Sequence, residues 1–302
     1  MGAKVERITK DILGRSALAV EQISPALLER CYGSLALFLN IPLLEKVHVK
    51  PFESLSNLRF AIRTILEAKG EVASENEITR LAQETTRNFF VSVIEVLNIL
   101  YKDSWPKFVE PEISDEVKAF LRQKGIIASF HSGNPLVAAP FLKEILTQGS
   151  DSSKKKVAAF MEKQPAIIQN RLIPFVESFG VEPIFMDEEP TEILEKVRGT
   201  DFLITLFDRP PKERKGAVEV TFFGKSALFL KGPALLSLSL KRPIVPVVIV
   251  KADQGCYTAE IGNIVSPEDY WEIKNIKEKE REITQAVVAE LEPIIARHPT
   301  SF

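Results

Sequence analysis

The 302-residue sequence predicts an α/β protein, with a mainly parallel central sheet flanked by helices and a helical region before it. Up to about Tyr101, apolar residues recur every three or four positions, which is the period of a helix. After a proline- and charge-rich segment, 105–114, short β-rich runs alternate with helical stretches. Several of these runs are apolar on both faces, which is typical of parallel strands covered by helices on two sides. We therefore expect a helical N-terminal region over 1–112 and an α/β core over 113–302.

The two halves have different hydrophobic patterns. The helical stripes of the first half contain Leu58, Ala61, Ile62, Ile65 and Leu66, and then Phe89, Phe90, Val93, Ile94, Leu97 and Leu100. The strands predicted in the second half are 126–130, 181–185, 202–207, 218–222, 244–250 and 257–261. A final amphipathic helix over 277–296 should pack on the core. The polar segment 148–156 is expected to be a surface loop.

Composition excludes several classes of function. With 39 basic and 41 acidic residues, the chain has no basic footprint that would indicate nucleic acid as its partner. Cys31 and Cys256 are the only cysteines, and their separation fits neither a disulfide framework nor a zinc site. We therefore expect a reducing compartment and no zinc site.

The sequence also predicts a cytoplasmic protein without a membrane span. The N-terminal residues have no apolar run followed by a cleavage site. The apolar stretches 35–44 and 244–250 are far shorter than the ~20 residues that a transmembrane helix needs. Apolar residues near Lys46, His48 and Lys50 could rest on a lipid surface, although a core helix followed by a solvated turn is the simpler interpretation.

His131 is the strongest candidate for chemistry. It ends the predicted strand IIASF, and a helix should begin at once, with Asn134 at the N-cap and Pro135 in the first helical position. Ligands of open α/β sheets bind in the crevice beyond the carboxyl ends of the strands, where this histidine is expected. A neutral imidazole there could take a proton from a hydroxyl, while nearby backbone N–H groups stabilise an oxyanion. The alternative is a histidine that only hydrogen-bonds the loop.

Other residues are expected near the same crevice. Asp208 and Arg209 follow an apolar strand, so they should lie at its functional end. Arg209 and Arg171 could hold phosphate or carboxylate groups, or could form ordinary surface ion pairs. The aromatic residues around Phe223 could line an acyl-chain groove or belong to the core.

Two motifs fail on spacing. Gly224-Lys225-Ser226 resembles the end of a P-loop, but the required glycine five positions earlier is Glu219, so a turn is predicted. Ser132 cannot belong to a Gly-x-Ser-x-Gly nucleophile elbow, because Phe130 occupies the first glycine position.

The motifs together resemble a known family. The segment GIIASFHSGNPLVAAP is similar to the strand, His-x-x-Asn loop and helix of the lipid A lauroyl and myristoyl acyltransferases, and of phosphatidylinositol mannoside acyltransferase. Further similar blocks follow in the same order: an Arg171-containing segment before FGVEPIF, FLITLFDR, VEVTFFGKSALFLKGPALLSLSL and RPIVPVVI. The resemblance covers about 88–264. Each block is weak alone, but their order and spacing are specific.

The resemblance implies an enzyme that acts at the inner face of the bacterial cell membrane. It would move a fatty acyl chain from an acyl carrier protein or coenzyme A thioester to a hydroxyl of a lipid or glycolipid, without a metal or redox cofactor. His131 would be the general base, with substrate contacts from Asn134, Arg171, Arg209, Phe223 and Gly224.

The sequence departs from the family at Leu136, where the family has Asp or Glu five positions after the histidine. Such a carboxylate fixes the tautomer of the imidazole and stabilises the imidazolium. We expect Asp208 to replace it, and Glu144 or a backbone carbonyl are the other candidates. The alternative function is a catalytically impaired relative that binds acyl lipids or partners. A third hypothesis is thioester hydrolysis or transfer to an amine.

Overall fold

The computed structural model describes residues 55–102, 107–147, 155–164, 166–209, 216–252 and 256–301. The apolar stretch 35–44 and the basic residues Lys46, His48 and Lys50 lie outside these ranges, as does most of the predicted loop 148–156. The helices are α1 Leu55–Ala68, α2 Glu75–Lys102, α3 Asp115–Phe120, α4 Pro135–Thr147, α5 Ala166–Ser178, α6 Pro190–Gly199, α7 Gly232–Leu240 and α8 Ile276–Arg297, with a 3₁₀ turn at Pro267–Tyr270. The strands are β1 Gly125–Ser129, β2 Val157–Met161, β3 Val181–Phe185, β4 Phe202–Leu206, β5 Ala217–Phe222, β6 Lys225–Leu230, β7 Ile244–Lys251 and β8 Tyr257–Ile261.

The central sheet has six strands in the order β3-β2-β4-β1-β7-β8, and the predicted α/β class is confirmed. All neighbouring strands are parallel except β7 and β8, which form an antiparallel edge. Strand β1 lies in the middle, between β4 and β7. The chain leaves β1 toward β2 on one side and later returns to β7 on the other, so the end of β1 lies where such sheets open a crevice.

Helices cover both faces of the sheet because the central strands are apolar on both sides. Every residue of β1 is buried, as are the first seven residues of β7. On one face, Ile126, Leu203 and Val248 pack against α7, α8 and the β5–β6 hairpin. On the other face, Ile127 and Ile204 pack against α3, α4 and α5. The sheet therefore has the two apolar layers that its sequence runs predict.

The strands β5 and β6 form a separate antiparallel hairpin. Its two central residues, Phe223 and Gly224, have φ angles of 48° and 71°, as the tight type I′ turn requires. Gly224 therefore lies in a turn, as predicted, while Lys225 and Ser226 are the first two residues of β6. Strands β2 and β6 were not predicted, because VAAFM has little β-branched character and KSALFL begins with two polar residues.

Side chains of α8 anchor the outer edge of the hairpin. The amide of Gln285 pairs with the backbone of Thr221, accepting its N–H at 2.7 Å and donating to its carbonyl at 3.0 Å. The carboxyl group of Glu292 accepts the N–H of Phe223 at 2.7 Å. Burial raises the pKa of Glu292, and the hydrogen bond from Phe223 partly offsets that effect. These contacts give hydrogen-bond partners to backbone N–H and C=O groups that would otherwise be unpaired at the edge of the hairpin.

Helices α1 and α2 pack together through a small core of their own, which contains Leu58, Ile62, Ile78 and Ala82. Polar side chains of α2 also contact the α/β core. Asn88 donates to the carbonyl of Thr300, and Glu95 contacts Lys251. Both helices occur where helices were predicted. The proposed domain boundary near 112 stays a prediction.

An aromatic cluster joins the hairpin to the sheet. The rings of Phe130, Phe207 and Phe229 lie with centroids 5.2–5.6 Å apart. Phe229 is 4 % exposed, so truncating it leaves a cavity.

We expect Phe229→Ala to lower the free energy of unfolding by about 3–5 kcal/mol, measured by denaturant titration. Phe60→Ala is the control, since that ring is 57 % exposed, and it should cost less than about 1 kcal/mol. Equal losses would contradict the buried role of Phe229.

Candidate active site

The register of β1 and β4 brings His131 and Asp208 together. Ser129 and Leu206 are partners at the ends of these parallel strands. His131 and Asp208 each follow two residues later, so they occupy matching places on neighbouring strands. Both side chains are 24 % exposed. The pair therefore lies at the carboxyl edge of the sheet, where the sequence predicted it.

One carboxylate holds both the ring and the backbone of His131. Asp208 Oδ1 lies 2.7 Å from His131 Nδ1, and Oδ2 accepts the backbone N–H of His131 at 3.1 Å. A carboxylate can only accept hydrogen bonds, so in the neutral imidazole Nδ1 carries the hydrogen and Nε2 has the lone pair. This is the arrangement in which an imidazole can accept a proton at Nε2.

Aromatic packing fixes the two strand ends. Phe130 precedes His131, Phe207 precedes Asp208, and the two rings are 5.2 Å apart in a tilted arrangement. The N–H of Phe207 also donates to the carbonyl of Ser129 at 3.2 Å. A shift of either strand end would therefore disturb both a ring contact and a hydrogen bond before it separated the histidine from the aspartate.

The loop after His131 is tightly packed. Gly133 has a φ of 59°, and a Cβ atom at this position would lie 3.1 Å from the carbonyl oxygen of Ile249 and 3.1 Å from the ring of Tyr257. Its N–H donates to the carbonyl of Ser301 at 2.8 Å. Ser132 is buried and donates to the carbonyl of Ile249 at 2.8 Å, so its hydroxyl is engaged in the structure of the loop.

Asn134 connects this loop to α2. Its side chain is fully buried, and its Nδ2 group donates to the carbonyl of Ser92 on α2 at 3.5 Å. Helix α4 begins at Pro135, as predicted. The burial of Asn134 favours a positioning role over direct substrate contact.

A small pocket lies beside the imidazole. It is lined by Asn88, Ser92, His131, Gly133, Lys251, Thr300 and Ser301. The pocket has room for a hydroxyl group or for a few ordered waters. Lys251 and the residues of α2 and 300–301 were not predicted from the sequence. Lys251 could have been predicted from the sequence, because it comes at the end of an apolar strand, as Asp208 does.

The other predicted residues lie farther from the pair or outside the pocket. Arg209 is exposed, and its Nη1 is 3.8 Å from Glu162 Oε2, which is a weak surface ion pair. Arg171 is exposed on α5. Phe223 is 8 % exposed and belongs to the core cluster under the hairpin, while Gly224 is exposed at its tip. The side chains of Leu136 and Glu144 are outside the described set.

Comparison with known proteins identifies the family. Residues 52–302 match the model of the bacterial lipid A biosynthesis acyltransferases. The chain belongs to this family. The lipid A acyltransferase homologue is therefore an acyltransferase, and its reaction has an acyl donor and a lipid acceptor. No curated protein matches its sequence.

Two further findings describe this acyltransferase. Among its described residues, no group of three or more His, Cys, Asp or Glu side chains could hold a metal ion. Within the same ranges, no helix combines the length and apolar character needed to cross a bilayer.

The close packing around Gly133 leads to a test. We expect Gly133→Ala to lower the free energy of unfolding by about 1–3 kcal/mol, because it adds both φ strain and two tight contacts. Gly70→Ala provides the matched control: Gly70 has a φ of 72° with open space around it, so only the cost of φ, about 1 kcal/mol, applies. Thermal or denaturant unfolding measures both. A smaller cost at Gly133 than at Gly70 would show that the loop relaxes freely.

Proposed function

We propose that the protein transfers a fatty acyl chain from an acyl carrier protein or coenzyme A thioester to a hydroxyl of a lipid or glycolipid. His131 is the general base, and Asp208 is the acid that orients it. The observation that carries this proposal is the 2.7 Å hydrogen bond between His131 Nδ1 and Asp208 Oδ1. It supplies in space the carboxylate that the sequence lacks at Leu136.

The chemistry follows from the tautomer. The Nε2 atom of His131 removes the proton from the acceptor hydroxyl as its oxygen attacks the thioester carbonyl carbon. Asp208 stabilises the resulting imidazolium through Nδ1–H. When the tetrahedral intermediate collapses, the C–S bond breaks and the leaving thiolate takes the proton from Nε2. The products are the acylated lipid and a free thiol, and no redox step or metal is required.

Arginines supply contacts for the charged parts of the substrates. Arg209 follows Asp208 at the same sheet edge, and its long, weak contact with Glu162 leaves the guanidinium able to exchange partners. We assign it, together with Arg171, to phosphate or carboxylate groups of the carrier or acceptor. Because its acceptor is a lipid, we also propose that the enzyme works as a peripheral protein on the inner face of the membrane.

The second candidate is a catalytically impaired relative that binds acyl lipids, suggested by Leu136 alone. The contact between His131 and Asp208 weighs against it, because a relative that only bound lipids would not need a carboxylate on both the ring and the backbone of one histidine.

Replacing either member of the pair tests the proposal. We expect His131→Ala to abolish transfer and Asp208→Asn to lower kcat by about 10³–10⁴-fold, because the amide permits the wrong tautomer. Asp187→Asn is the matched control, since Asp187 is exposed and paired with Lys163 at 2.6 Å. Transfer from lauroyl-acyl carrier protein and lauroyl-coenzyme A to a total lipid extract is measured by mass spectrometry.

The same assay separates the alternatives. Full turnover by Asp208→Asn would remove this residue from the mechanism. Absence of transfer by the wild type, with a gain of activity in Leu136→Glu, would instead support the impaired relative. A free fatty acid or an acylated amine as the only product would indicate hydrolysis or transfer to an amine.

A further inference from the structure

A basic residue lies on the other side of His131 from Asp208. The sheet order places β4, β1 and β7 side by side, and Asp208, His131 and Lys251 come at or just beyond the carboxyl ends of these three strands. The histidine is therefore flanked by an acid on one neighbouring strand and by a cation on the other. The acid contacts Nδ1, and the cation shares the small pocket with the imidazole.

The surroundings of Lys251 hold its ammonium group at this pocket. Its side chain is 22 % exposed, and Nζ lies 3.4 Å from Glu95 Oε1 on α2. The other carboxylate oxygen of Glu95 accepts a hydrogen bond from the hydroxyl of Tyr257, whose ring is buried against Gly133. Glu95 thus holds the lysine in place. Tyr257, which packs against the histidine loop, in turn holds Glu95.

Two backbone donors beside the histidine are already engaged. The N–H of His131 donates to Asp208 at 3.1 Å, and the N–H of Gly133 donates to the carbonyl of Ser301 at 2.8 Å. The sequence led us to expect such groups to bind the oxyanion of an acyl transfer. With these two donors occupied, a cation at the pocket is well placed to stabilise the negative charge that forms on the carbonyl oxygen.

We propose that Lys251 Nζ binds this oxyanion, which makes it a further catalytic residue of the site. The inference rests on the proposed acyl transfer. As the acceptor oxygen bonds to the carbonyl carbon, the π electrons of the C=O bond move to its oxygen, and the hydroxyl proton moves to His131 Nε2. The ammonium group donates to the new oxyanion until the C–S bond breaks and the carbonyl reforms.

The shared lining of the pocket supports this role. Lys251 and His131 both line it, so a carbonyl group within reach of the imidazole is close to the ammonium group as well. Glu95 and Tyr257 act as positioning residues, because they contact Lys251 and the loop rather than the reacting atoms.

The test is the kinetics of Lys251→Met with lauroyl-acyl carrier protein or lauroyl-coenzyme A and a total lipid extract. We expect kcat to fall by about 10²–10³-fold, while KM for the donor changes by less than about threefold, because the oxyanion exists only beyond the ground state. Lys251→Arg should recover part of the rate. Because Lys251→Arg keeps the positive charge beside the imidazole, the acidic limb of its pH–rate profile should stay in place.

A matched variant controls for the loss of a partly buried lysine. Lys231 pairs with Glu280 at 3.0 Å and is 29 % exposed, so Lys231→Met removes a similar ion pair away from the pocket and should keep the wild-type kcat. The double variant Lys251→Met/Glu95→Gln removes the carboxylate charge that the single change leaves without its partner. It should fold and show the same loss of kcat.

Several results would overturn the inference. One is a kcat within twofold of wild type in both Lys251→Met and the double variant Lys251→Met/Glu95→Gln, each shown to be folded. Another is a parallel loss of affinity for a thioether analogue of lauroyl-coenzyme A, measured by calorimetry, because that would indicate ground-state binding. A shifted acidic limb in Lys251→Arg would assign Lys251 to positioning His131. Absence of transfer by the wild type would instead overturn the proposed function, and this inference with it.

Discussion

The parallel register between β1 and β4 is the constraint on which the site depends. Because Ser129 faces Leu206, the residues two positions beyond each strand end come within hydrogen-bond distance of one another. The carboxylate of Asp208 then bonds the backbone as well as the ring of His131. A slip of the register by one residue would turn the side chains of one strand to the other face and separate the pair.

The rest of the structure maintains that register from several directions. The rings of Phe130 and Phe207 pack together one residue before the pair, and Phe229 of the hairpin packs on both. Helix α8 holds the hairpin through Gln285 and Glu292. From the other side, α2 reaches the pocket through Asn88, Ser92 and Glu95. The site is therefore assembled from segments that are distant in sequence, and they join it through hydrogen bonds, an ion pair and aromatic contacts.

The sequence predicted those features of the fold and the site that depend on local hydrophobic patterns. The fold class, six of the strands, the final helix and the strand-end positions of His131 and Asp208 follow from apolar runs and their boundaries. Strand β2 was missed because alanine-rich VAAFM carries a weak strand signal, and β6 because its alternation is short. The contribution of Thr300 and Ser301 to the pocket could not be predicted, since it depends on where α8 ends relative to the histidine loop. The full burial of Asn134 likewise depends on α2 packing over it.

The position of the acid explains why Leu136 does not by itself argue for lost function. The imidazole requires an acceptor at Nδ1 at hydrogen-bond distance, and the chain segment that supplies it is not restricted. An acid on a neighbouring strand has an advantage over one on the following helix, because the sheet hydrogen bonds fix its distance from the histidine. In this protein the same carboxylate also satisfies the N–H of His131, which would otherwise lack a partner at the end of β1. The two hydrogen bonds restrain ring and backbone together, so the orientation of Nε2 follows from the fold of the sheet.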